Sequence, residues 1–221
     1  MTTQNKVAIA VGAIVAVAVV ALLLILQNRQ DDAPDPVAAG SPQESLLVRE
    51  DSRVLGEEGS SGVTVVEFLD FECEACRAAY PIVEQLRERY AGEVTFVARY
   101  FPLPSHFNAE RAARAVEAAA RQGEMEAMYR KMYETQSSWG EAQMPQDDLF
   151  RGFAEEIGLD MEQYDADYAS QEVADRVQRD VDDGLELGVQ GTPTFYVDGE
   201  PLQPRSVEDF TTAIDAALAS R

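Results

Sequence analysis

The chain is poor in lysine, histidine, tryptophan and cysteine. Lysine occurs only at Lys6 and Lys131, histidine only at His106, tryptophan only at Trp139, and cysteine only at Cys73 and Cys76. Each shortage excludes something. Lys and Arg total 18 against 40 Asp and Glu, for a formal charge of -22. Nucleic acid is therefore excluded as a partner, because phosphate binding needs basic surface. A structural zinc site takes about four ligands, and two cysteines with one histidine do not supply them, so no metal is expected. No cysteine follows the N-terminal apolar run, which excludes a lipoprotein anchor. No internal repeat is present. Apolar residues make up 46% of the 221, enough for one medium domain with appendages.

The two cysteines sit three apart in Phe71-Glu72-Cys73-Glu74-Ala75-Cys76-Arg77. A strand-like run, 63–69, precedes them, and a helix-like run, 77–90, follows. A Cys-x-x-Cys at such a junction reads as a thioredoxin-type redox site. The partial positive charge of a helix N-terminus stabilises a thiolate on the first cysteine. The second, one turn later, is close enough to form a small reversible disulfide. The plain alternatives are a pair of core cysteines and half of a zinc site.

Residues 7–26 carry no charge. At 1.5 Å per residue the run matches a hydrocarbon core about 30 Å thick. A cleaved signal peptide has a shorter apolar region ending at a small-x-small site. This run ends Leu-Leu-Leu-Ile-Leu-Gln-Asn-Arg, so an uncleaved signal anchor over 1–27 is expected. Lys6 and Arg29 flank it almost evenly, and the positive-inside rule leaves orientation open. A disulfide-active pair on a membrane stalk suits an oxidising exterior, which places the domain outside the cytoplasmic membrane on a single-pass anchor. Residues 28–45, with Pro34, Pro36, Gly40 and Pro42, read as a tether.

Residues 46–221 form the folded part. A short strand is expected within 46–55, a turn over 56–62, a buried strand over 63–69 and a second strand over 94–101. Pro81 lies inside the helix 77–90. From 108 to 188 the pattern is helical. Asn108 is expected to cap a helix that stops at Gly123, and Met125, Met128, Tyr129, Met132 and Tyr133 form a core stripe; a copper-binding methionine face is the sharper alternative. Asp160 to Gln163 resembles a capping box. Val173, Val177, Val181 and Leu185 mark a long helix ending at Gly188. Strand 194–197, an Asp198-Gly199 turn, a short partner strand and a final helix from Ser206 complete the order. The arrangement is α/β: β-α-β and β-β-α halves separated by a helical insertion at about 104–188. Such halves around one sheet make a thioredoxin fold.

Three stretches carry a family resemblance: Val66-Glu67-Phe68-Leu69-Asp70-Phe71-Glu72-Cys73-Glu74-Ala75-Cys76, Tyr100-Phe101-Pro102-Leu103 with His106 and Asn108, and Gly188-Val189-Gln190-Gly191-Thr192-Pro193-Thr194-Phe195. On these the chain resembles the DsbA-like thiol-disulfide oxidoreductases, in particular membrane-anchored members from Gram-positive bacteria. The resemblance implies a dithiol-disulfide enzyme with no cofactor beyond a Cys73–Cys76 disulfide. Cys73 would be the nucleophile and Cys76 the resolving thiol. Glu67 would be a buried acid near Cys76, where an apolar setting raises a carboxyl pKa; a solvent-facing strand glutamate is the alternative. Pro193 would be a cis-proline, and Thr192 would offer its backbone to an extended substrate. Implied partners are reduced proteins and a quinone-linked membrane reoxidase, with the chain a monomer. His106 receives no catalytic role, and Trp139 is expected in the core.

The chain departs from the strong oxidant of this family, which has Pro-His between its cysteines where Glu74-Ala75 stand here. Glu74, with Glu72 and Asp70, is expected to disfavour the thiolate. That places the potential between about -270 mV for thioredoxin and about -120 mV for DsbA, and makes Glu74→Gln a stronger oxidant. Two rivals use the same residues: a reductase or isomerase fed with electrons across the membrane, and an anchored metal-binding or binding module.

Overall fold

The computed structural model describes residues 46–221, and its central strand is the apolar run Val63–Leu69 (β2). β2 and its parallel neighbour Val94–Tyr100 (β3) are buried almost throughout. This is the near-continuous apolar pattern of strands covered on both faces. The five-stranded sheet has the order β1-β3-β2-β4-β5. Arg53–Val54 (β1) pairs antiparallel with β3, and Thr194–Val197 (β4) pairs antiparallel with β2 and with Glu200–Leu202 (β5). Asp198 and Gly199 join β4 to β5 with φ of 50° and 88°, the double positive φ of a two-residue hairpin turn. Of the strand expected within 46–55, only Arg53 and Val54 pair. The carbonyls of Leu46 and Leu47 instead accept from the Arg99 guanidinium, each at 2.6 Å.

Seven helices surround the sheet among the described residues: Glu74–Arg89 (α1), Ala109–Ala120 (α2), Met125–Thr135 (α3), Asp147–Ile157 (α4), Met161–Ala169 (α5), Gln171–Glu186 (α6) and Val207–Ala219 (α7). α2 to α6 form the insertion between β3 and β4. Period-two alternation sorts the sheet residues. Val63, Val65 and Leu69 share one core with both cysteines, with Phe96, Ala98 and Tyr100 of β3, and with the insertion's Met128, Met132 and Trp139. Val66, Phe68, Val97 and Tyr196 face a second, smaller core. The methionine stripe is therefore packed interior, and Trp139 is fully buried.

Four local expectations are corrected. α1 begins at Glu74, three residues before the expected start, with Cys73 as its N-cap residue. Asn108 precedes α2 but makes no capping bond. Its amide instead donates to the carbonyls of Ala142 and Met144 and accepts from the Gln146 N–H, stapling the 140–146 loop to the start of α2. On α6, Val173 and Val177 are buried but Leu185 is 59% exposed; Arg176, Asp180 and Asp183 turn inward instead. They do so because β3 presents Arg99 to that face, and Arg99 pairs with Asp180 at 2.6 Å and with Asp183. Asp160 caps α5 through the N–H groups of Glu162 and Gln163 without a return bond. The reciprocal box is at Ser206 and Asp209, at the start of α7.

No helix among the described residues is long and apolar enough to cross a membrane. The expected anchor, 1–27, and tether, 28–45, lie outside the described residues.

Candidate active site

The chain leaves β2 at Leu69, makes a tight turn and enters α1. The Cys73 N–H donates to the Asp70 carbonyl at 3.2 Å, and the Glu72 N–H donates to Asp70 Oδ1 at 2.8 Å. The turn delivers Cys73 to the N-cap position of α1, 7% exposed, and Cys76 one turn deeper, fully buried. Both are free thiols. The Cys76 sulfur accepts from the Asp70 N–H at 3.5 Å. The Cys73 sulfur donates to the Thr192 carbonyl at 3.4 Å. The Thr192–Pro193 peptide is cis.

The two thiols differ in acidity. The Cys73 pKa is drawn down to about 5, first by the hydrogen bond from Cys76; burial opposes this, while Thr192 and the N–H groups of Cys76 and Ala75 add to it. Those N–H groups are the open donors of a helix start. The Cys76 pKa is pushed well above the ordinary thiol value, by burial first, then by its bond to Cys73 and the charge of Glu67. One sulfur is thus a thiolate at neutral pH and the other a thiol.

Glu67 lies on the β2 face shared with Val65 and Leu69, and only 3% of it is exposed. Burial, reinforced by the charges of Cys73 and Glu84, pushes its pKa up to about 8. Its Oε2, like the hydroxyls of Tyr129 and Tyr133, is buried without a hydrogen-bond partner. Ionisation of both tyrosines is opposed by burial and, among other charges, by Glu67.

The acids flanking the pair each have partners of their own. Asp70 Oδ2 accepts from the Leu103 N–H at 2.9 Å and contacts His106 Nδ1 at 2.7 Å. Glu72 Oε2 accepts from the Asn108 N–H. Glu74 and Ala75 are exposed. The Glu74 carboxyl is held below its ordinary range by its own backbone N–H and by Glu141.

Two residues given no role from sequence are in the site. His106 arrives on the loop after β3, whose end lies beside the end of β2 because the strands are parallel. Loops that follow neighbouring parallel strands open on one edge of the sheet, which is the signal that places it there. Gln136, from the 3-10 turn after α3, donates to the carbonyls of Phe71 and Cys73 at 2.8 and 2.9 Å; nothing in its sequence context marks it.

On the Thr192 side an open groove of about 1080 Å³ is lined by Gly188, Gln190, Thr192, Pro193, Pro204 and Arg205, among others. A hollow of about 260 Å³, floored by Ala79, Ile82 and Phe210, meets it at Pro193. Among the described residues, no group of three or more His, Cys, Asp and Glu is arranged to hold a metal ion.

A thioredoxin family model matches residues 49–216. The chain is similar in structure to a thioredoxin-like oxidoreductase from Silicibacter pomeroyi DSS-3, at 30% identity and a TM-score of 0.67, over 80% of this chain and 98% of that one. It shares the fold of oxidised BdbD from Bacillus subtilis, at 22% identity and a TM-score of 0.67, over 76% and 93% of the two chains. Two curated relatives carry the name Na(+)/H(+) antiporter: NhaA 3 of Salinispora tropica, 38% identical over 160 residues, and NhaA of Herminiimonas arsenicoxydans, 36% identical over 159. Each alignment takes in 72% of this chain and 24% of the relative, so the chain spans about a quarter of their length. The chain belongs to the thioredoxin family, among its thioredoxin-like oxidoreductases.

Proposed function

We propose that this chain oxidises reduced proteins outside the cytoplasmic membrane, with Cys73 and Cys76 as its only redox centre. The observation that carries the reading is the split between the thiols: Cys73 near 5 at the rim, Cys76 raised and buried beneath it. A low thiol pKa stabilises the dithiol form and makes the disulfide a better oxidant.

The exchange runs from the oxidised enzyme. A client thiolate attacks the Cys73 sulfur, the Cys73–Cys76 bond breaks, and a client–Cys73 disulfide forms. Cys76 leaves as a thiolate. Glu67, protonated below about pH 8, supplies the proton it needs in that dry setting. A second client thiolate then attacks the client sulfur and releases Cys73 as a thiolate, which at a pKa of about 5 leaves readily. Two electrons have passed from the client dithiol to the enzyme. Thr192 positions the client: its carbonyl stands beside the Cys73 sulfur, and in the disulfide state it accepts a client backbone N–H, as an added strand would. Backbone pairing ignores side chains and suits a broad clientele.

In this reading residues 1–27 anchor the chain, 28–45 tether it, and the domain 46–221 works as a monomer. A quinone-linked membrane protein takes the two electrons and restores the disulfide. No cofactor beyond the cysteine pair is required.

The test is a glutathione titration of the full chain, read by thiol alkylation. A midpoint well above about -270 mV supports a disulfide donor. A midpoint at or below it turns the reading to a reductase with an electron supply, and no reversible transition turns it to a thiol binding module. Labelling of Cys73 by a membrane-impermeant thiol reagent on intact cells first treated with a membrane-impermeant reductant tests the location; labelling only after lysis would place the domain inside.

A further inference from the structure

The active-site turn is braced by a charged pair that the exchange steps above do not use. Asp70 touches both cysteines through its backbone: its N–H donates to the Cys76 sulfur at 3.5 Å and its carbonyl accepts from the Cys73 N–H at 3.2 Å. Its carboxylate is buried and held at three points, by the N–H groups of Glu72 and Leu103 and by His106 Nδ1 at 2.7 Å. His106 is the chain's one imidazole, partly open to solvent and set on the loop that frames the site. The Pro-His-type solution, a histidine between the cysteines, is missing here, since Glu74 and Ala75 fill those places.

We propose that His106, paired with Asp70, is a positioning residue that sets the potential of the Cys73–Cys76 couple and makes it pH-dependent. This rests on the redox reading of the site. The imidazolium neutralises a buried carboxylate that would otherwise oppose the thiolate nearby, and it holds the Asp70 backbone in register with both sulfurs. Burial alone would lower the His106 pKa, but the bond to Asp70 and the charges of Asp70, Cys73 and Glu72 raise it above the ordinary value. Glu74, at the start of α1, faces it as a further negative charge, and Glu141 from the insertion contacts Glu74. Burial raises the Asp70 carboxyl as well, and the N–H groups of Leu103 and Glu72 with His106 pull it back. As pH rises through the His106 pKa the positive charge is lost, the thiolate loses support, and the dithiol form becomes less favoured.

The test compares the full chain with His106→Gln and Asp70→Asn, measuring the glutathione equilibrium and the Cys73 alkylation rate across pH, with thermal melting alongside. In the unaltered chain the potential–pH curve should bend above about pH 6.5, the ordinary histidine value. His106→Gln should abolish that bend and shift the glutathione equilibrium about fivefold toward the disulfide at pH 7, which is about 20 mV. Asp70→Asn should keep a bend but move it to lower pH. That readout survives if His106→Gln fails to fold, and a purely structural role would not produce it. A reversible transition with the same curve in all three proteins overturns this inference and leaves the redox reading standing. No reversible transition in the unaltered chain overturns both.

Discussion

The Cys73 sulfur donates to the Thr192 carbonyl at 3.4 Å, across 119 residues of sequence. The contact joins the two halves of the fold: Cys73 comes off β2 into α1, and Thr192 comes from the loop that ends the helical insertion. β2 and β4 are antiparallel neighbours, with Phe68 opposite Thr194, so the end of one strand and the start of the other share an edge. A client segment lying on Thr192 would therefore meet Cys73 directly.

The first expectation concerns the thiol beneath that contact. Cys76 is the largest influence holding Cys73 near 5. Cys76→Ala should raise the Cys73 pKa by at least about one unit, which is about 1.4 kcal/mol of thiolate stabilisation. It should also leave client proteins attached to Cys73 as mixed disulfides, formed when the Cys73 thiolate attacks a client disulfide and expels one client thiolate, since no Cys76 remains to displace the client in that reverse direction. Alkylation rate against pH gives the first, and non-reducing gels of cell extracts the second. A Cys73 pKa still near 5 would mean that the helix terminus alone sets it.

Glu67 gives a pH dependence whose sign can be worked out. Its folded pKa, about 8, stands above an unfolded value near 4.5. Between those values the unfolded chain has released the proton and the native chain still holds it, so stability falls as pH rises through that window. Glu67→Gln removes the penalty. The variant should be more stable at pH 7 by at most about 3.5 kcal/mol, from about 1.4 kcal/mol for each unit between the unfolded value and pH 7. It should also exchange with clients about 100-fold more slowly, because the proton source for Cys76 is gone. Urea unfolding at several pH values separates the two effects. Equal stability slopes in both proteins would place the charge of Glu67 in contact with water.

Much of this was legible because the informative residues act locally. Val63–Leu69 reads as a covered strand from its apolar run, and Cys73-x-x-Cys76 as a helix-start pair from its spacing. Asp198-Gly199 announces its own turn. What escaped depends on partners far away in sequence. His106 looks like a loop residue until parallel pairing of β2 and β3 brings its loop beside Asp70. Gln136 has no local mark at all. Periodicity turns Leu185 inward, but Arg99 on β3 needs carboxylates, so α6 is rotated to give it Asp180 and Asp183. Charge pairing there outweighed the burial of one leucine.

Glu74 was the residue expected to tune the couple, and its placement shrinks that expectation. It is exposed at the surface of α1, where solvent and salt screen its charge. Glu74→Gln should still make the protein a stronger oxidant, but by less than about 30 mV, and by less again at high salt. Glutathione titrations at two ionic strengths decide it. A larger, salt-independent shift would mean that the carboxylate contacts the sulfur in the oxidised state.

Arg99 stands on the opposite face of the sheet from the cysteines and ties the start of the domain to it. It is completely buried, pairs with Asp180 and Asp183, donates to the carbonyls of Leu46 and Leu47, and lies over the Phe68 ring at 5.4 Å. Burial raises the Asp180 carboxyl, and Arg99 then Arg176 pull it back. Removing the arginine alone leaves two buried carboxylates short of charge and two carbonyls short of donors. Arg99→Met should therefore cost about 3–5 kcal/mol, the range for breaking a buried pair from one side. Replacing Asp180 by leucine in the same chain should recover part of that loss, because the carboxylate left without Arg99 is then gone. The Cys73 pKa should stay near 5 in both, since the redox turn sits on the other face and shares no partner with Arg99. Urea unfolding with thiol alkylation on the same samples tests both halves. A loss under about 1 kcal/mol for Arg99→Met would show the network to be open to water, and a shifted thiol pKa would show that the two faces of the sheet communicate.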